Sequence, residues 1–167
     1  MAVIIEAFTV IVRNSTLEEK YPGGREALAA DCLNRTYCDD GNLSRVAFMH
    51  SADVQAFLED LARMGLVPVA DDCVIDVAVV SAEQGLQAGT CDWLLFATFK
   101  GVPIAWENGK SPSPLVGPPG YEFGRKTQYV SAEEARDRLV YLRTENGVDV
   151  YLDKTTGQEM YSGRAHK

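Results

Sequence analysis

Thiols, carboxylates, an arginine and a tyrosine crowd one short stretch of this chain, Asp31-Cys32-Leu33-Asn34-Arg35-Thr36-Tyr37-Cys38-Asp39-Asp40-Gly41-Asn42. A polar connector of that richness, set between two apolar segments, is where binding or chemistry concentrates in a folded domain. Arg35, Cys38, Asp39, Asp40 and Arg45 are therefore the candidate binding residues. Glu6, Asp40 and Cys38 carry the side-chain types that acid–base or nucleophilic work requires, but no catalytic set is complete enough to assign.

Glu6 is the sharpest single position. It is the only charge on the alternating face that holds Ile4, Phe8, Val10 and Val12. A carboxylate inside an apolar sheet face is disfavoured as an ion unless an arginine partners it, which is how acid–base groups are poised. The plainer reading is a structural ion pair with Arg35 or Arg45, or a strand end reaching water. Asp76 sits among Val74, Ala78 and Val80 in the same way. Were the two strands neighbours in the right register, Glu6 and Asp76 would form a carboxylate pair.

Metal chemistry finds little footing. Structural zinc needs short paired spacings that present two thiolates from one turn. Cys32, Cys38, Cys73 and Cys91 offer none, and His50 and His166 are the only histidines. Asp39, Asp40, Asp71 and Asp72 read as solvated turn residues, since Gly41 follows without the ligand order of a calcium loop. No metal and no cofactor is expected. A cysteine nucleophile would need His50, which immediately precedes a helix start, so buried, inert thiols are the plainer expectation. Gly120 to Thr127 mimics a phosphate loop, but Arg125 stands where its second glycine belongs, so the anion nest is lost.

The totals narrow the classes further. The net charge is −8; residues 1–120 hold 16 acidic and 8 basic residues, and the remainder holds 8 of each. An acidic surplus repels phosphate backbones, so a nucleic-acid partner is not expected, whereas a protein partner or a small molecule is. No apolar run reaches the roughly 18 residues of a membrane span. The start, Met1-Ala2-Val3-Ile4-Ile5-Glu6, lacks a basic leader. A cytoplasmic protein with reduced cysteines is the expectation.

Periodicity supplies the elements that must position these residues. Val3 to Val12 predicts one strand buried on both faces. Thr16 with Glu19 reads as a capping box, Tyr21-Pro22-Gly23-Gly24 interrupts, and Arg25 to Asp31 resumes the helix. Leu43 to Met49 predicts a strand. A helix capped by Ser51 follows, with Val54, Phe57, Leu58 and Leu61 on one stripe, a Glu59–Arg63 pair outside and Gly65 as the stop. Val74 to Val80 predicts a strand, and Lys100-Gly101 a tight hairpin between Trp93–Phe99 and Val102–Trp106.

Gly109 to Gly120 reads as a proline-stiffened linker. Beyond it, Ser131 and Glu134 open a helix through about Leu142, and Val148–Leu152 and Glu159–Tyr161 flank a five-residue hairpin loop. The order is β-α-β-α-β-β-β, then α-β-β. That predicts an α+β fold: a largely antiparallel or mixed sheet with helices on one face. A main body over residues 1–108, a linker over 109–120 and a docked helix-hairpin unit over 121–167 are the expected parts.

Through Tyr21-Pro22-Gly23-Gly24, Asn34-Arg35-Thr36-Tyr37-Cys38-Asp39, Arg45-Val46-Ala47-Phe48-Met49 and Asp53-Val54, the chain resembles a family of small uncharacterised bacterial proteins. The resemblance spans the body to about residue 107 and brings no catalytic residues with it. It implies a small single-chain bacterial protein. Two functions are then expected in order. The first is a non-enzymatic interaction or ligand-binding protein, immunity-like or regulatory. The alternative is a small enzyme that uses carboxylate acid–base chemistry on an anion held by an arginine.

Overall fold

The apolar run after Met1 folds as two strands, β1 (Ala2–Ile4) and β2 (Phe8–Arg13), and not as one strand through Val12. Ala7, at φ 39°, turns the chain between them. The Thr9 hydroxyl fixes the corner, accepting from the Glu6 N–H at 2.9 Å and donating to the Glu6 carbonyl at 2.8 Å. The turn delivers β1 and β2 to different sheets.

This computed structural model describes residues 1–32, 34–121, 137–145, 148–155 and 157–163. After β2 come α1 (Asn14–Lys20), α2 (Gly24–Asp31), β3 (Cys38–Asp39), β4 (Leu43–Phe48) and α3 (Ser51–Arg63). Then follow β5 (Val69–Ala70), β6 (Cys73–Val74), β7 (Val77–Ser81), β8 (Gly85–Leu86), β9 (Leu94–Phe99), β10 (Val102–Glu107) and β11 (Leu115–Val116). The C-terminal part contributes β12 (Leu139–Glu145), β13 (Val148–Asp153) and β14 (Glu159–Gly163). The fold is α+β with mostly antiparallel sheets, as the element order predicts.

Two sheets carry the body. The first has the order β3-β4-β2-β7-β8, antiparallel throughout; the second has the order β11-β1-β10-β9, with only the β11–β1 pair parallel. On one face of the first sheet, Val10, Val12, Val46, Phe48 and Val77 pack against Leu17, Leu28, Val54, Phe57 and Leu61 of the three helices. Its other face, with Ile11, Cys38, Leu43, Ala78 and Val80, packs on Val3, Leu94 and Ala105 of the second sheet. Helices, five-stranded sheet and four-stranded sheet thus form three layers, with apolar burial on both faces of the middle one.

Several local expectations change. Helix α1 starts at Asn14, with Arg13 at the cap position; Thr16 lies buried inside it and caps nothing. Ser51 is the first residue of α3, His50 takes the cap position, and no side chain caps that end. Gly65, at φ 88°, does terminate α3, with the Leu66 N–H returning to the Leu61 carbonyl. Arg63 pairs with Asp60, and Glu59 accepts from Gln55, in place of the expected Glu59–Arg63 pair. The predicted Val74–Val80 strand breaks at Ile75-Asp76 into β6 and β7.

The supposed linker is partly sheet: β11 pairs in parallel with β1, and the Ala2 N–H donates to the Pro114 carbonyl. The Lys100-Gly101 hairpin forms as predicted, both residues at positive φ. The helix expected through Leu142 gives way at Leu139 to β12, which pairs with β13; β13 pairs with β14 across the 153–157 loop. The Ser131–Glu134 capping box and most of the phosphate-loop mimic lie outside the described residues.

Candidate functional site

The polar connector divides its side chains between two places. One is interior. Leu43 and Arg45 of β4 face the second sheet, so Arg45 projects into the layer between the two sheets, where it is fully buried. Its Nη2 meets Glu6 Oε2 at 2.7 Å, and its Nε donates to the Cys38 sulfur at 3.1 Å. Glu6 reaches it because the Ala7 corner sits where the chain leaves one sheet for the other. The ion pair therefore spans both sheets at their shared corner. Burial pushes the Cys38 thiol above its ordinary value, and the Arg45 charge and hydrogen bond pull in the opposite direction.

Asp76 takes no part in this cluster. Strands β2 and β7 are neighbours, but their antiparallel register places Glu6 and Asp76 at opposite ends. Asp76 instead accepts from Lys20 Nζ at 2.7 Å and from the Val67 N–H at 2.8 Å. The carboxylate pair considered from sequence does not form.

The other place is a surface hollow of about 480 Å³ beside the β3–β4 turn. Met1, Arg25, Glu26, Ala29, Tyr37, Asp39, Asp40 and Gly41 line it. A second hollow of about 560 Å³ adjoins it through Arg25, Glu26 and Gly41, and adds Asn14, Ser15, Glu18 and Gly23. The turn is built by its own aspartates. Asp40 Oδ1 accepts from the Asn42 and Leu43 N–H groups, each at 2.8 Å, and Gly41 supplies the positive φ of 92°. Asp39 Oδ1 accepts from Asn14 Nδ2 at 2.8 Å and from the Gly41 N–H, while Asp39 Oδ2 accepts from Arg25 Nη1 at 3.3 Å.

Arg25 is delivered by the Gly23-Gly24 pair, both at positive φ, which swings α2 back along α1. It also approaches Glu18 at 3.5 Å. Behind the turn, Ser44 Oγ donates to Asn14 Oδ1 at 2.7 Å and bonds the Tyr37 hydroxyl at 3.0 Å, so the floor is held from three elements. Burial raises the Tyr37 phenol above its ordinary value, and the Ser44 hydrogen bond partly offsets that. Among the described residues, three buried side-chain atoms have no hydrogen-bond partner: Asp40 Oδ2, Arg45 Nη1 and, away from both places, Arg13 Nε.

Of the residues singled out from sequence, Glu6, Cys38 and Arg45 come together inside, while Asp39 and Asp40 meet the hollow. Arg35 is exposed, at φ 57°, and lines neither hollow. Cys38 bonds to Arg45 and lies 3.9 Å from the Val116 carbonyl; His50 takes no part. Among the described residues, no three His, Cys, Asp or Glu side chains converge as a metal cage. Arg25, Glu26, Glu18, Asn14 and the Met1 terminus were missed from sequence. Only the Gly23-Gly24 turn hinted that the start of α2 would fold back.

No described helix is long and apolar enough to cross a membrane. No known protein family, curated protein or solved structure matches the chain.

Proposed function

We propose that this is a non-enzymatic interaction or ligand-binding protein of the bacterial cytoplasm, immunity-like or regulatory, which receives a cationic group of a partner in the hollow beside the β3–β4 turn. One observation carries the reading. Glu6 and Arg45, the charged pair best suited to chemistry, are closed against each other between the sheets. The remaining carboxylates, Glu18, Glu26, Asp39 and Asp40, gather around a single arginine at an open hollow. A lysine or arginine side chain from a partner would offset part of that negative surplus, and Arg25 would yield part of its hold on Asp39.

The alternative is a small enzyme with carboxylate acid–base chemistry and an arginine-held anion. It draws support from the buried, unpartnered Asp40 Oδ2 and Arg45 Nη1. Amide chemical shifts, followed during titration with tetralysine and separately with inorganic phosphate, separate the two. The binding reading expects tetralysine to move Asn14, Glu26 and Tyr37 to Gly41. Added salt and Glu26→Gln should both weaken that response. Movement under phosphate alone, centred on Arg45, would favour the enzyme. Silence under both probes would remove the hollow as the site.

A further inference from the structure

Three of the four edges of the body's two large sheets are blunted by length: β3, β8 and β11 are each two residues long. Short edge strands keep a sheet from recruiting another chain. The fourth edge is different. Strand β9 is six residues, Leu-Leu-Phe-Ala-Thr-Phe, with no charge and no proline. Leu95, Phe96 and Phe99 are 40%, 45% and 47% exposed, and no described strand lies beyond them.

The register with β10 fixes which backbone groups point outward. Pro103, opposite Thr98, has no N–H, and its carbonyl accepts from Ile5 of the other neighbour. Thr98 and Pro103 are therefore a non-hydrogen-bonded pair. Antiparallel pairs alternate, so Phe96 with Ala105 and Leu94 with Glu107 are non-bonded too. Leu94, Phe96 and Thr98 accordingly turn their backbone groups away from β10. The Leu94 N–H is occupied by the Cys91 sulfur. That leaves the Leu94 carbonyl and both groups of Phe96 and Thr98 facing outward.

We propose that β9 is a homodimer interface, where it pairs antiparallel with β9 of a second copy about a two-fold axis at Phe96. That register sets Phe96 against Phe96, and the Thr98 N–H of each chain against the Leu94 carbonyl of the other. It pairs both outward N–H groups of each chain and leaves only the Thr98 carbonyl, opposite the occupied Leu94 N–H. A register that sets Phe96 against Thr98 pairs as many, so the charges at the two ends choose between them. With Phe96 against Phe96, Leu95 lies opposite Ala97. At the two ends the same register brings Asp92 of each chain to Lys100 of the other. An uncharged strand with opposite charges equidistant from its centre is complementary to itself only when antiparallel. An isologous pair closes after two copies, so the exposed edge is consumed and not propagated into a filament.

Sedimentation velocity over a concentration series tests this on the full chain. A reversible monomer–dimer equilibrium is expected. Thr98→Pro removes an outward N–H that β10 does not use, and should abolish the dimer with the circular dichroism spectrum retained. Lys100→Asp should weaken the dimer several-fold, and Asp92→Lys with Lys100→Asp should restore it. Should Thr98→Pro fail to fold, the charge exchange decides alone. A chain that sediments as a monomer throughout overturns the proposal, as does a dimer indifferent to Lys100→Asp.

Discussion

Arg45 is the largest fully buried side chain among the described residues. Its guanidinium is fully buried, and it holds Glu6 at 2.7 Å and the Cys38 sulfur at 3.1 Å. Removing one partner of a buried pair leaves the other charge uncompensated, at a cost of about 3–5 kcal/mol. Arg45→Met should therefore lower the urea midpoint steeply. Adding Glu6→Gln should recover a substantial share, because the second change removes the stranded charge. Cys32 makes a separate point about the same connector. Burial, with the Asp31 charge beside it, pushes its thiol from 9.0 to about 12. The unfolded chain releases this proton near its ordinary value, and the folded chain keeps it. Stability is thus undiminished below that value and falls as pH rises towards the folded one. Urea midpoints measured at about pH 8 and about pH 10.5 should show this loss, and Cys32→Ala should reduce it.

At the scale of elements, the α1–α2 turn decides whether the hollow exists, because it carries Arg25 to Asp39. Gly23 and Gly65 both sit at positive φ, 83° and 88°, but only Gly23 is crowded: a Cβ there would lie 2.8 Å from the Ala27 Cβ. Gly65→Ala should cost about 1 kcal/mol, the left-handed backbone penalty alone. Gly23→Ala should cost more and also displace the Arg25 side chain from Asp39, which the shifts of the Arg25 and Gly41 amides would reveal. Elements with long, regular apolar patterns were legible in the sequence: β4, α3, the β9–β10 hairpin and the β13–β14 hairpin. Those that failed did so for physical reasons. Two-residue strands such as β3 and β11 are too short to carry a period. Thr16 reads as a cap but is drawn into the core. Ala7 gives no sign that it will adopt a positive φ, because the Thr9 hydroxyl and the exchange of sheets impose it. Leu139 to Leu142 fits helix and strand periods alike, and pairing with β13 settles it. At the candidate site, a Glu6–Arg45 ion pair is one reading of the sequence, but the alternation that places Glu6 with Phe8, Val10 and Val12 fails. The Ala7 turn breaks the period, those three face the helices, and Glu6 meets Arg45 between the sheets. The meeting of Arg25 with Asp39 could not be read from sequence, since no spacing rule links residues on separate elements.

For the molecule as a whole, the described apolar clusters mark out one cooperative unit. Among the described residues, every member of the three buried apolar clusters lies between Ala2 and Tyr121, including Tyr121 itself, which packs with Ile4 and Ile104 on the outer face of the second sheet, while Val150 and Asp153 are buried outside those clusters. Among the described strands, β12, β13 and β14 pair only with one another, and Arg138 clasps Asp153 through two hydrogen bonds of 2.7 and 2.6 Å within that part. Charge adds no obstacle to separating the two: residues beyond 120 carry equal numbers of acidic and basic side chains, so the whole net charge of −8 stays with the body. A chain that stops after Tyr121 keeps all three layers, both sheets and the Glu6–Arg45 pair, and loses no residue of the clusters that hold them together. It should unfold in one transition, with a urea midpoint close to that of the full chain. Trp93 and Trp106, the only tryptophans, both belong to the body, so their fluorescence follows this transition in either chain without interference from the rest. A broad or biphasic transition in the shortened chain, or exposed apolar surface detected by dye binding at neutral pH, would mean that the C-terminal residues belong to the same core.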